Sequence, residues 1–219
     1  MKNLQFHRMG TRAVLIECQQ AQASVEVQQI CWGLDLLSQE LAGLTESVPG
    51  MNNLLLIFDS LQARENAFPR LPELWHLASD QNQQRESRCI KIGVHYGGDR
   101  GADLSELARH AGLSINQFVE RHARSQYTVF CLGAHPGFAY LGGLESALHA
   151  PRRSAPRQRV EAGSVAIGGS QTGVIAATMP SGWNLIGSTE QVFFDHRLDP
   201  PALLAPGDRV QFEILEVSA

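Results

Sequence analysis

Gly133-Ala134-His135-Pro136-Gly137-Phe138-Ala139-Tyr140-Leu141-Gly142-Gly143 is the stretch from which the rest of the chain is read. Four glycines, a proline and two aromatics in eleven positions fit neither a helix nor a regular strand. Glycine frees the backbone, and proline fixes φ and lacks a donor. Phe138, Tyr140 and Leu141 need a core or a ligand to cover them. Two readings stay open on the residues alone. Either a rigid loop presents His135 and backbone N–H groups to a small ligand, or a tight corner plugs a barrel with its aromatics.

Downstream of this loop stand Pro151, Arg152, Arg153, Pro156, Arg157 and Arg159. Arginines held between prolines are stiffened, and a guanidinium fork suits a carboxylate or a phosphate. The plainer alternative is a solvated basic loop. From Gly163 onward short strand signals follow one another: 164–167, 173–178, 184–186, 192–194 and, after the Pro206-Gly207-Asp208 turn, 209–217. Close turns between such strands predict an antiparallel barrel or sandwich. Gln171-Thr172-Gly173 and Pro180-Ser181-Gly182-Trp183-Asn184 add neutral hydrogen-bonding groups and an indole, the equipment of a pocket for a small amide.

Upstream, Tyr127–Leu132 reads as a strand feeding the glycine loop. Ile90, Ile92, Val94 and Tyr96 alternate with Lys91, Gly93 and His95, the period of a half-buried strand. Between them, residues 103–124 read as two short helices around Ala111-Gly112-Leu113, with capping boxes at Asp103/Glu106 and Ser114/Gln117. The pair looks like a helix-turn-helix. Glu120 in the second helix and a net charge of -4 speak against a polyanionic partner, so a helical insert between strands is expected and nucleic acid is not.

The polar run Ser79–Arg88 marks a boundary. Before it, Ala13–Cys18 is a strand signal, and Ser24 caps a helix carrying Ile30, Leu34, Leu37, Leu41 and Leu44. Val48-Pro49-Gly50 reads as the end of that unit. Asn53–Asp59 is a buried strand, and Leu71, Leu74, Trp75 and Ala78 mark a further helix. The expectation is therefore α+β: a small α/β domain over 1–82, then a barrel domain over 89–219 with a two-helix insert near 103–124.

Composition supports a globular chain with real cores: 219 residues, 43% hydrophobic and 18% charged. Cys18, Cys31, Cys89 and Cys131 are far apart, so reduced thiols are expected rather than a disulfide framework or a zinc site. No apolar run is long enough to span a bilayer, which predicts a cytoplasmic protein without a membrane partner. No Gly-x4-Gly-Lys-Ser/Thr phosphate loop and no metal-ligand cluster occur.

Several segments, in order, resemble one family. They are His95-Tyr96-Gly97-Gly98, Pro136-Gly137-Phe138-Ala139-Tyr140-Leu141-Gly142-Gly143-Leu144, Pro151-Arg152-Arg153, Ala162–Ile167, Gln171-Thr172-Gly173, Gly182-Trp183 and Leu185-Ile186-Gly187. The set is similar to the family of KipI and the 5-oxoprolinase B subunit, also described as allophanate hydrolase subunit 1 or the carboxyltransferase-domain family. The resemblance implies a small α/β domain followed by a cyclophilin-like antiparallel β-barrel. It also implies one component of an ATP-dependent 5-oxoprolinase that works with homologues of subunits C and A on a small lactam or amide. ATP would then bind at the contact between subunits B and C. Other members imply alternatives: an inhibitor of a sensor histidine kinase, or a non-catalytic component of the allophanate and urea pathway.

Joined to that resemblance, the residues take expected roles. His135 is the candidate proton carrier, since imidazole titrates near neutral pH. Arg153 and Arg157 are candidates for stabilising charge during phosphoryl transfer. Pro136, Gly137, Phe138, Gln171, Thr172, Trp183 and Asn184 are the expected substrate-binding set.

Overall fold

The computed structural model describes residues 4–18, 23–80 and 87–218, and the chain divides into two compact units at Arg85/Glu86. In the first, strands β1 (Leu4–Met9), β2 (Ala13–Cys18), β3 (Leu44–Gly50) and β4 (Asn53–Phe58) form an antiparallel sheet in the order β1-β2-β4-β3. Alternation assigns the faces. Val14 and Ile16 on β2, and Leu54, Leu56 and Phe58 on β4, are wholly buried. Helices α1 (Val25–Ser38), α2 (Leu61–Ala67) and α3 (Leu71–Asp80) cover that face, with Cys31, Leu34, Leu71 and Trp75 closing the core.

The local signals place α1 correctly at its start and wrongly at its end. Ser24 Oγ accepts from Val27 N at 3.4 Å, as an N-cap should. The apolar period runs on to Leu41 and Leu44, but the helix stops at Ser38 and Leu44 opens β3. Val48-Pro49-Gly50, expected to terminate a helical unit, is the end of that strand. Pro49 is tolerated because β3 is an edge strand and needs no donor on its open side.

The second unit holds β5 (Cys89–Tyr96), α4 (Leu104–His110), α5 (Ile115–Arg124), β6 (Tyr127–Leu132), β7 (Ala139–Gly142), β8 (Arg157–Val160), β9 (Ser164–Gly168), β10 (Gln171–Val174), β11 (Met179–Ser181), β12 (Asn184–Ser188) and β13 (Arg209–Val217). Seven of the strands close a barrel in the order β10-β7-β6-β13-β5-β12-β9, while β8 and β11 form a separate pair. All barrel pairs are antiparallel except β5–β13, which is parallel. Val192–Phe194 forms no strand; Phe194 makes one isolated bridge, to Ala202. The 173–178 segment leaves the barrel early, and Met179–Ser181 pairs with β8 instead.

Helix α5 has the capping box expected of it, Ser114 Oγ taking Gln117 N and Gln117 Oε1 taking Ser114 N. Asp103 has the sequence of a cap but makes no capping bond, because its carboxylate is engaged elsewhere. Phe118 and Val119 of α5 are buried in the same cluster as Ile92, Val94, Val129, Val165 and Phe212 of the barrel. Among the described residues no helix is long and apolar enough to cross a membrane, and no group of His, Cys, Asp or Glu could hold a metal ion. All four cysteines are free thiols, with Cys89 exposed.

Candidate functional site

The residues of the arginine segment converge on Asp103. Arg157, at the start of β8, donates from Nη1 to Asp103 Oδ2 at 2.8 Å and from Nη2 to Oδ1 at 2.9 Å. Arg153 donates from Nη1 to Oδ1 at 2.9 Å. The Leu185 N–H of β12 gives Oδ2 a further bond at 2.7 Å, and Asp103 N returns one to Leu185 O at 3.0 Å. Burial alone would raise this carboxyl. The hydrogen bonds from Arg157 and Leu185 N, with the charges of Arg157 and Arg153, outweigh it and hold the group below its ordinary value. In the sequence Asp103 reads only as a helix cap; no local pattern announces a partner 50 or 54 residues away.

Beside this cluster lies a cavity of about 600 Å³ between α4, Phe118 of α5 and the 147–155 segment. Such a volume is ordinary for a small-molecule site. The 147–155 segment is pinned on both sides. Ala150 bridges Gly169 through two backbone bonds, and Arg153 N donates to Gly182 O at 2.8 Å. Asn184 Nδ2 donates to Pro151 O at 2.9 Å and to Ile167 O at 3.2 Å. Of the residues expected at the site, Arg153 and Asn184 line this cavity. His110, His149 and Arg152 line it too, and sequence reasoning gives none of them a site role. The Pro151-Arg152-Arg153 segment is the one signal that leads to Arg152.

The glycine loop forms a second feature. Gly137 sits at φ +78°, and a Cβ there would stand 2.7 Å from Phe194 Cβ and 2.8 Å from Phe193 O, so the turn packs too tightly for a side chain. His135 and Pro136 are exposed on the turn, held by His135 N to Gly133 O at 2.7 Å and Phe138 N to His135 O at 3.0 Å. Phe138 then turns inward. Its ring meets Trp183 edge-on at 5.5 Å and Tyr140 at 4.9 Å, so the loop aromatics and the indole form one cluster with the buried Ile175 and Leu185. The guanidinium carbon of Arg152 lies 5.6 Å from the Trp183 ring centroid, linking this cluster to the cavity rim. His135 and Trp183 themselves are not among the cavity's lining residues.

Thr172 belongs elsewhere. The sequence assigns it to the ligand, but it has no exposure and its hydroxyl donates to Ala166 O at 3.0 Å. His122 Nε2 lies 2.9 Å from the same hydroxyl oxygen, and Tyr96 Oη lies 2.8 Å from His122 Nδ1. With its single proton committed to a carbonyl, Thr172 Oγ1 must accept from Nε2–H, so Tyr96 O–H donates to Nδ1. The chain of donors runs Tyr96, His122, Thr172, Ala166, wholly inside the barrel. Burial drives the His122 pKa down to about 3 and that of Tyr96 well up, so both stay neutral. Gln171, half-buried, opens β10 opposite Gly168.

With the geometry in place, comparison with known proteins adds the family. Residues 4–204 match the carboxyltransferase domain, subdomain C and D. The chain is 41% identical over 213 residues to the 5-oxoprolinase B subunit of Escherichia coli O157:H7, across 97% of this chain and 96% of that protein. It is 36% identical over 190 residues to the 5-oxoprolinase B subunit of Bacillus subtilis strain 168, across 80% and 77%. Among solved structures, TTHA0988 superposes with a TM-score of 0.77 at 34% identity, over 94% of this chain and 40% of that one. A match that runs from β1 past the barrel's last turns places this chain in the carboxyltransferase-domain family, subdomain C and D.

Proposed function

We propose that this chain is the B subunit of an ATP-dependent 5-oxoprolinase, converting 5-oxo-L-proline, ATP and water to L-glutamate, ADP and phosphate. The observation that carries the reading is its 41% identity to a 5-oxoprolinase B subunit across 97% of this chain and 96% of that protein. The relative's name speaks for a multi-subunit enzyme, and catalysis is assigned to a cytoplasmic complex with homologues of subunits C and A.

A lactam is a poor electrophile, so the reaction needs its amide oxygen phosphorylated before water can open the ring. The chain contains no Walker phosphate loop, and the nucleotide is assigned to the contact between subunits B and C. Arg157 spends both Nη groups on Asp103 and so holds the carboxylate in place, whereas Arg153 gives Asp103 one bond and also lines the cavity. Arg153 is therefore the better candidate to meet an anion. His135, exposed on a glycine turn, is the candidate to carry a proton.

Co-expression of the three subunits tests this. ATP hydrolysis that requires 5-oxoproline and releases glutamate is expected. His135→Ala should lower turnover while complex yield and thermal midpoint stay the same. Hydrolysis indifferent to 5-oxoproline would refute the assignment of activity, and an unchanged rate in His135→Ala would remove that histidine from it.

A further inference from the structure

The cavity beside α4 is divided between hydrocarbon and polar groups in a way that specifies an occupant. Leu107, Phe118 and Leu148, all buried, supply an apolar floor. The rim carries Arg152 and Arg153 with Glu106, and Arg157 stands behind them. Set against Asp103 and Glu106, the three arginines leave one positive charge in excess. The excess resides at the cavity, because Arg157 already faces Asp103 with two hydrogen bonds. Arg153 is short of partners as well: its Nε is buried without one. A buried N–H of a cation left unpaired is costly, and an anionic oxygen at this rim would relieve it.

Two acceptors complete the pattern. His149 Nε2 lies 3.1 Å from Leu144 O, and a carbonyl can only accept, so Nε2 carries the hydrogen and Nδ1 is the acceptor of the neutral ring. Asn184 Nδ2 gives its hydrogens to two carbonyls, Pro151 O and Ile167 O, which fixes the orientation of the amide and leaves Oδ1 to accept. An occupant that answers these groups carries an anionic oxygen pair, an N–H donor and a compact saturated carbon body.

The geometry points to a small carboxylate bearing an amide N–H, such as a lactam acid, as the ligand of this cavity. Its carboxylate lies on Arg152 and Arg153, its N–H faces Asn184 Oδ1 and His149 Nδ1, and its ring carbons lie on Leu107, Phe118 and Leu148. This rests on the proposed function and deepens it: the cavity takes the lactam substrate by its carboxylate, and the phosphates of the nucleotide bind elsewhere. A nucleoside triphosphate would bring several negative charges to a rim with one cation in excess.

The test uses the full chain by calorimetry and the assembled complex by steady-state kinetics. The probes are 5-oxo-L-proline, 2-pyrrolidinone (the same lactam without its carboxylate) and ATP. The variants are Arg153→Ala, which removes the clamp, and Ala111→Phe, which fills the cavity from a half-exposed position at the end of α4. Expected is a KM for 5-oxoproline at least about tenfold higher in both variants with the KM for ATP unchanged, and pyrrolidinone binding weaker than 5-oxoproline and indifferent to Arg153→Ala. A raised KM for ATP with that for 5-oxoproline unchanged would overturn the inference in favour of a phosphate site. Normal turnover with neither KM altered would overturn it and leave the proposed function standing. If the complex hydrolyses no ATP, the proposed function falls, and calorimetry decides the cavity alone: 5-oxoproline uptake by the chain, lost in Ala111→Phe, sustains the inference, and no uptake ends it.

Discussion

His122 Nε2 lies 2.9 Å from Thr172 Oγ1 inside the barrel, and because that hydroxyl already donates to Ala166 O at 3.0 Å, the imidazole is the donor of the pair. One relay of neutral groups thus ties α5 to β5, β9 and β10 at the centre of the barrel core. It acts on stability, and its pH dependence follows from its burial.

The folded His122 pKa is about 3 against an ordinary value of 6.5. Between those values the unfolded chain binds a proton that the folded chain refuses. Stability from this group is therefore complete above 6.5 and falls as pH drops toward 3, by ~1.4 kcal/mol per pH unit. Unfolding midpoints of the wild type and His122→Gln, followed across that window, should show a steeper acid loss in the wild type. Parallel curves would mean that His122 is not held neutral.

Thr172→Val keeps the shape of the side chain and removes the hydroxyl. His122 Nε2–H and Ala166 O then lose their shared partner in a buried place, at a cost of about 2 kcal/mol. Chemical denaturation measures it. Substrate KM should not move, because Thr172 is wholly buried and absent from the cavity wall.

Asp103→Asn removes the charge on which Arg153 and Arg157 converge. Breaking a largely buried charged cluster on one side costs about 3 kcal/mol, somewhat less here because both guanidiniums are partly exposed. The wild-type carboxyl is held below its ordinary value of 3.8, so its contribution is present above that value and is lost as pH falls below it. A denaturation midpoint within error of the wild type would show that the cluster contributes nothing net.

Gly168→Ala tests the aromatic cluster. An added Cβ would stand 2.6 Å from Trp183 Cδ2 and Cε2, so the indole must move or the strand must yield. Overpacking of this kind costs about 1–3 kcal/mol. The near-ultraviolet circular dichroism should change with it, since Trp183 meets both Phe138 and Tyr140. An unaltered spectrum and stability would show that the indole is loosely packed.

Strand β13 and the helix that begins after Ser24 are legible in the chain because their signals are local: a strand run after a Pro-Gly-Asp turn, and a capping serine ahead of an apolar period. Even there, the period over Leu41 and Leu44 misleads, because a repeat of three and four continues by chance past the turn at Ser38. The parallel pairing of β5 with β13 joins residues from opposite ends of the barrel sequence and leaves no trace in either strand alone.

Residue identity alone told which groups were available for chemistry: a glycine turn with one histidine, a proline-stiffened run of arginines, a tryptophan-asparagine pair. Their partners came from the folded arrangement. Arg153 and Arg157 meet a carboxylate 50 and 54 residues upstream, Asn184 secures the cavity wall, and Thr172 faces inward. The reason is physical: backbone preferences and hydrophobic period are properties of neighbours along the chain, whereas the partner of a charge or hydroxyl is chosen by barrel closure and strand register.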